Sequence, residues 1–166
     1  MGDLMTHCVW DSAFDLLMIN EGGYVNNLND PGGETKYGIS KKAYPDLDIE
    51  NLTLEQAKVI YKKDYWDRCK CDYIPDALSI ALFDFAVNSG TKRAIICLQK
   101  ALGVTADGII GNQTIGACNR IPTKYVLEKY MDIRLDFLTN LKNWKYFGNG
   151  WGKRVNRTKQ MCEKYL

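Results

Sequence analysis

Histidine is nearly missing from this chain: its 166 residues include one, His7. That excludes Cys-His and Ser-His nucleophilic pairs and a histidine zinc site, and leaves proton transfer to carboxylates. No run of about 18 apolar residues occurs, so no membrane span is predicted. The opening stretch Met1-Gly2-Asp3-Leu4-Met5-Thr6-His7-Cys8 has neither a basic n-region nor an apolar h-region. A cleavable secretion signal is therefore not expected, and the chain reads as made for the cytoplasm. Net charge is only +2, too little to argue for nucleic acid and mildly compatible with an anionic polymer such as a cell wall. Low-complexity linkers and internal repeats are absent. Long alternating strands are absent too, leaving room for at most a small hairpin within residues 22–40.

What is present is ordinary in amount: 46% hydrophobic and 25% charged residues, typical of a globular protein. The length suits one domain, or two small lobes packed intimately, with a real core. Six cysteines are scattered through helical patterns rather than clustered in turns. Their even count permits disulfides, but Cys97 and Cys118 sit beside apolar residues, where a thiol acts as a small hydrophobe. Cys69-Lys70-Cys71 has one intervening residue, short of a zinc knuckle, and no second pair follows. Reduced structural thiols are expected, with no metal and no cofactor.

The stretch from Glu21 to Ser40 organises the rest. Trp10, Phe14, Leu17 and Met18, with Val9, recur at helical spacing upstream. Gly22-Gly23 suit the left-handed end of that helix, which makes Glu21 its last residue. Unpaired carbonyls gather there, and a carboxylate in their partial negative charge should hold its proton more tightly. The loop beyond contains Asp30 and Thr35. Asp30 precedes Pro31, which pushes it toward extended backbone, and Gly32-Gly33 permit a reversal toward the helix end. Two carboxyls in unlike environments plus a hydroxyl suit glycoside hydrolysis: one acid protonates the leaving oxygen, the other group handles water or the cationic sugar. The same residues also fit a solvated helix terminus followed by an Asx-turn.

Further along, Thr53-Leu54-Glu55-Gln56 is a capping box, opening a helix with Ala57, Ile60 and Tyr61 on one face and closed by Tyr65-Trp66-Asp67. Pro75-Asp76 starts the next helix, with Leu78, Leu82, Phe85 and Ala86 as its core stripe and Gly90 as its stop. Thr91 is placed to cap a helix through Ala94, Ile95, Leu98 and Leu102 that ends at Gly103. Asp107-Gly108 marks a turn, and Asn112 is placed to cap a helix carrying Ile115 and Ala117. Thr123 opens the longest helix, with Tyr125, Val126, Tyr130, Ile133, Phe137, Leu138 and Leu141 as its stripe. Residues 143–150 read as an aromatic, glycine-rich loop, and Trp151 opens the last helix. Lys153, Arg154, Arg157 and Lys159 give that helix a basic face.

Glu21-Gly22-Gly23-Tyr24, Asn29-Asp30-Pro31-Gly32-Gly33 and Thr35-Lys36-Tyr37-Gly38-Ile39 together closely resemble the signature of glycoside hydrolase family 108. That family comprises lysozyme-like N-acetylmuramidases, many of them phage endolysins. The Glu, Asp, Thr order also resembles the triad of phage-type lysozymes, whose second gap is one residue longer. The resemblance implies Glu21 as general acid, with Asp30 and Thr35 holding water or stabilising the transition state. Glu34 ranks below Asp30 because the family motif fixes the Asp. Asp84-Phe85-Ala86-Val87-Asn88-Ser89-Gly90 resembles a second block of the family, which makes Asn88 and Ser89 candidate sugar contacts as well as ordinary capping residues. Tyr24, Tyr37 and Trp66 are the candidate flat faces for sugar, with core packing as their alternative use. Leu98-Gln99 through Asp107-Gly108 to Thr114 resembles a small peptidoglycan-binding module; Asn112 stands where family members often have Pro. Gly150-Trp151 with Asn156-Arg157 resembles the family's C-terminal block.

The expectation is a mainly α, lysozyme-like fold of about seven or eight helices. Residues 1–90 would form the catalytic lobe, and residues 91–166 a peptidoglycan-binding-like lobe packed on it as one unit, whether that lobe binds wall or only completes the fold. The expected reaction is hydrolysis of the β-1,4 bond between N-acetylmuramic acid and N-acetylglucosamine in peptidoglycan strands. The protein is expected to be a monomer and to reach the wall through a holin-type release partner. A lytic transglycosylase and a non-catalytic wall-binding protein are the alternatives, with a chitinase as a weaker variant.

Overall fold

The computed structural model describes residues 8–21, 23–26 and 33–166. Among these are seven α-helices and one small sheet, so the architecture is mainly α. Helix α1 (Val9–Asn20) buries Trp10, Phe14, Leu16 and Leu17, as its apolar spacing requires. The sheet is antiparallel in the order β1 (Val25–Asn26), β2 (Glu34–Lys36), β3 (Ile39–Ser40), with Thr35 paired to Val25 on one side and Ser40 on the other. One strand more than a hairpin is present because chain on both flanks of β2 pairs with it.

Helix α2 (Leu54–Tyr61) begins at the capping box: Gln56 N–H donates to Thr53 Oγ1 (3.1 Å), and Thr53 N–H to Gln56 Oε1 (2.9 Å). It runs straight into a wider π-helical segment, Lys62–Asp67, which points Trp66 into the core. A 3-10 turn (Cys71–Tyr73) leads to α3 (Asp76–Ser89). The single apolar stripe expected for α3 is too narrow a description. Every residue from Ala77 to Ala86 is buried, because α1, α4, α6 and α7 pack around it. A helix apolar on all sides belongs at the centre of a fold.

Helix α4 (Thr91–Leu102) ends at Gly103, whose φ of 72° is the left-handed cap. Its Gln99 is buried and organises the following turn. Gln99 Nε2 donates to Asp107 Oδ1 and Ile109 O, both at 2.9 Å, while Gly108 N–H donates to Gln99 Oε1 at 2.9 Å. Helices α5 (Asn112–Arg120) and α6 (Thr123–Thr139) follow. Thr91 and Asn112 are first helical residues rather than side-chain caps. Tyr125 and Leu141, expected in the stripe of α6, lie at the surface, and Arg134 is buried on that helix instead.

The last helix differs most from expectation. α7 runs unbroken from Trp144 to Glu163, through the segment whose glycines predicted a loop. Packing explains part of this: a Cβ at Gly148 would stand 2.5 Å from the Trp144 indole, so that glycine lets the ring lie on the helix. Five of the six cysteines, Cys69, Cys71, Cys97, Cys118 and Cys162, are buried free thiols. No described helix is long and apolar enough to cross a membrane.

Candidate active site

Glu21 follows the last residue of α1. Its backbone is already extended (φ −105°, ψ 136°), while its N–H still donates to Leu17 O at 3.0 Å. It is thus the C-cap rather than the final helical residue. Its side chain is 24% exposed. Burial raises its pKa; the nearby Arg154 guanidinium pulls the other way and does not win, and Asp84 adds a smaller push upward. The direction matches the sequence reading, but its main cause is desolvation rather than the helix end.

Three elements shape the surroundings of this carboxyl. The β2–β3 turn closes over it at Tyr37-Gly38, both with positive φ. A Cβ on Gly38 would come 2.9 Å from the Glu21 carboxyl and 2.5 Å from the Tyr61 hydroxyl. Only glycine lets the turn lie so close. Tyr61, buried on α2, donates to Tyr37 O at 2.7 Å and holds the turn down. Its phenol pKa is driven up, first by burial and then by the charge of Glu21.

From α7, Arg154 Nη1 reaches Glu21 Oε1 at 3.5 Å. The same guanidinium is anchored on Asp84 through Nε (3.3 Å) and Nη2 (3.1 Å). Asp84, 2% exposed, also accepts from Thr158 Oγ1 at 3.0 Å and pairs with Arg134 Nη1 at 2.8 Å. Burial alone would raise the pKa of Asp84, but the two guanidiniums outweigh it and hold the acid ionised. The result is a continuous chain of charges, Arg134–Asp84–Arg154–Glu21, that fixes Arg154 in place. Sequence reasoning placed Arg154 only on a basic face and missed Asp84 and Arg134 as its partners. The available signals were an Asp inside an apolar helical run (Leu82-Phe83-Asp84-Phe85-Ala86) and an Arg between Tyr130 and Leu138 at helical spacing.

Beside Glu21 lies a cleft of about 370 Å3 lined by Phe14, Met18, Tyr37 and Leu54, with Asp15, Ile19 and Gly23 at its edge. Tyr37 therefore stands where a sugar face could meet it. Tyr24 is partly exposed and donates to Glu34 Oε2 at 2.8 Å, which engages the rival carboxyl. Thr35 sits half-buried in the central strand. Asp30 lies outside the described residues. Trp66 is a correction: at 0% exposure it packs against Trp10 and Phe83 and offers no face to a ligand. Asn88 accepts from Arg134 Nη2 at 3.3 Å, so it belongs to the charge chain, and Ser89 closes α3 beside it. The arrangement supplies an acid whose pKa burial raises, a fixed cation beside it and a part-apolar cleft.

Known proteins match this chain over nearly its whole length. A family model described as glycosyl hydrolase 108 matches residues 14–90, and one described as a predicted peptidoglycan domain matches residues 93–156. Among solved structures, SagA of Brucella abortus superimposes with a TM-score of 0.85 and is 33% identical, over 94% of each chain. No curated protein matches.

Proposed function

The chain belongs to the glycosyl hydrolase 108 family, a lysozyme-like glycoside hydrolase acting on peptidoglycan, and from that premise we propose that it is an N-acetylmuramidase. It hydrolyses the β-1,4 bond between N-acetylmuramic acid and N-acetylglucosamine. The observation that carries this reading is Glu21: one carboxyl, desolvated so that it favours its proton, opening on a cleft wide enough for a sugar.

In this reading Glu21 is the general acid. Its raised pKa keeps a proton available for the glycosidic oxygen as the bond breaks. Once the proton has left, Arg154 stabilises the new carboxylate at close range, so the same site suits both states of the acid. Asp84 and Arg134 act through Arg154 and are positioning residues. Asp30 and Thr35 hold the attacking water or the developing positive charge, and Tyr37 offers a ring to the sugar. A role as an endolysin, made in the cytoplasm as a monomer and released by a holin-type partner, fits the same chemistry.

The test is analysis of chain ends from digested peptidoglycan. Glu21→Gln should fold and lose reducing-end release by roughly 100- to 10,000-fold. Asp30→Asn should cost less, since Thr35 still holds water. Retained clearing by Glu21→Gln would sink the proposal, and 1,6-anhydro ends in place of reducing ends would make the protein a lytic transglycosylase.

A further inference from the structure

The segment matching a predicted peptidoglycan domain has to meet wall somewhere if it binds wall at all, and its most recognisable residues are otherwise occupied. Gln99, Asp107 and Thr114 are spent on one another: Gln99 Nε2 bonds Asp107 Oδ1 and Thr114 Oγ1, and Asp107 Oδ1 also accepts from Ile109 N–H. They hold a turn. The same segment ends in the glycine-rich part of α7, where a groove of about 670 Å3 runs along the helix against Leu135 of α6. It is larger than the cleft beside Glu21.

The groove has the composition of a saccharide surface. Trp144 is half-buried, its indole laid over Gly148 and reaching toward Gly152, where an added Cβ would stand 4.0 Å from it. Trp144 is the ring that lines the groove; Trp151, 6.1 Å from it, and Phe147, stacked on Trp151 at 5.8 Å, lie outside the lining on the side of α7 toward Arg154. Asn149 and Asn156 line the groove, exposed and without a side-chain partner among the described residues; Lys145 and Lys153 flank them. Positions 145, 149, 152 and 156 recur at helical spacing on one face, spanning about 16 Å of helix. Arg154, which reaches Glu21, projects from the opposite face of α7, since each residue turns the helix by about 100°.

We propose that this face of α7 is a second, non-catalytic glycan site, taking the N-acetylated, carboxylate-bearing strand of peptidoglycan. The Trp144 indole receives the apolar face of a sugar, the free amides of Asn149 and Asn156 bond acetamido and hydroxyl groups, and Lys145 and Lys153 meet the carboxylates. Placed away from Glu21, the groove holds a stretch of wall other than the one being cut. It rests on the muramidase reading only for the identity of the polymer.

The experiment uses the full chain carrying Glu21→Gln, titrated onto purified peptidoglycan sacculi stripped of covalently attached polymers. Adding Asn149→Ala, Lys153→Glu and Asn156→Ala should weaken binding about tenfold, because one of two linked contacts is lost. All three are exposed helix positions, so misfolding is not the trivial outcome. Lys124→Glu, an equal charge change on α6, should leave binding intact. With Glu21 restored, the triple variant should cleave short soluble glycan fragments at the parent rate and clear whole sacculi more slowly. Equal binding by triple variant and parent, or an equal loss from Lys124→Glu, overturns the second site. Absence of reducing ends from the parent overturns the catalytic reading instead and leaves the binding comparison standing.

Discussion

Glu21 sits between two influences of opposite sign, and that fixes how its stability contribution depends on pH. Its folded pKa is raised above the ordinary 4.5, so the folded state binds its proton more tightly than the unfolded chain does. Stability then falls as pH rises from the ordinary carboxylate range through the raised value. Glutamine mimics the neutral acid and does not titrate. Glu21→Gln should therefore match the wild type in Tm near pH 4 and exceed it near pH 8, read by thermal unfolding across that range. A constant difference at every pH would mean that Glu21 titrates as it would in water. The position of this acid was legible, because a glutamate beside paired glycines marks the end of a helix. Its environment was not: the guanidinium that opposes desolvation comes from residue 154, far along the chain, and no local pattern connects the two.

At the scale of elements, most helix limits could be read because capping chemistry is local. The Thr53 box, Pro75-Asp76, Gly90 and Gly103 each act within one turn of themselves. The start of α7 could not, since Gly148, Gly150 and Gly152 argue against a helix and only the seating of Trp144 reveals one of them as useful. The glycines are consequently not equivalent. At Gly148 an added methyl would meet the indole at 2.5 Å, so Gly148→Ala must displace Trp144 and should destabilise by about 1–3 kcal/mol. At Gly150 nothing lies within 4 Å, so Gly150→Ala gains helix propensity and should stabilise by about 1 kcal/mol. Denaturant unfolding of the two variants is the check. The same sign for both would mean that Trp144 does not lie on the helix as described.

Across the whole molecule, the charge chain joins parts that the sequence keeps far apart. Glu21 ends the first helix, Asp84 lies in the central one, and Arg134 and Arg154 come from the last two. The segments matching the two family models therefore meet at one buried carboxylate, which organises the Glu21 end of the cleft. Asp84→Asn keeps the shape and removes the charge, leaving two guanidiniums facing each other with no counter-ion between them. Breaking a buried pair in this way costs about 3–5 kcal/mol, on the order of 10 °C in Tm for a chain of this size. Because the pKa of Asp84 is held below its ordinary 3.8, its contribution is complete above that value and is lost as pH falls through the folded pKa. The Tm gap between wild type and Asp84→Asn should therefore be full at neutral pH and shrink only in strong acid. Thr158→Val, which removes a single hydrogen bond to the same carboxylate, should cost about 1 kcal/mol. The catalytic consequence is separable from the loss of stability. Well below its melting temperature, Asp84→Asn should still bind wall through the outer face of α7 and yet cut it slowly, because Arg154 has lost the anchor that keeps it beside Glu21. Full activity in a folded Asp84→Asn protein would show that Arg154 needs no such anchor.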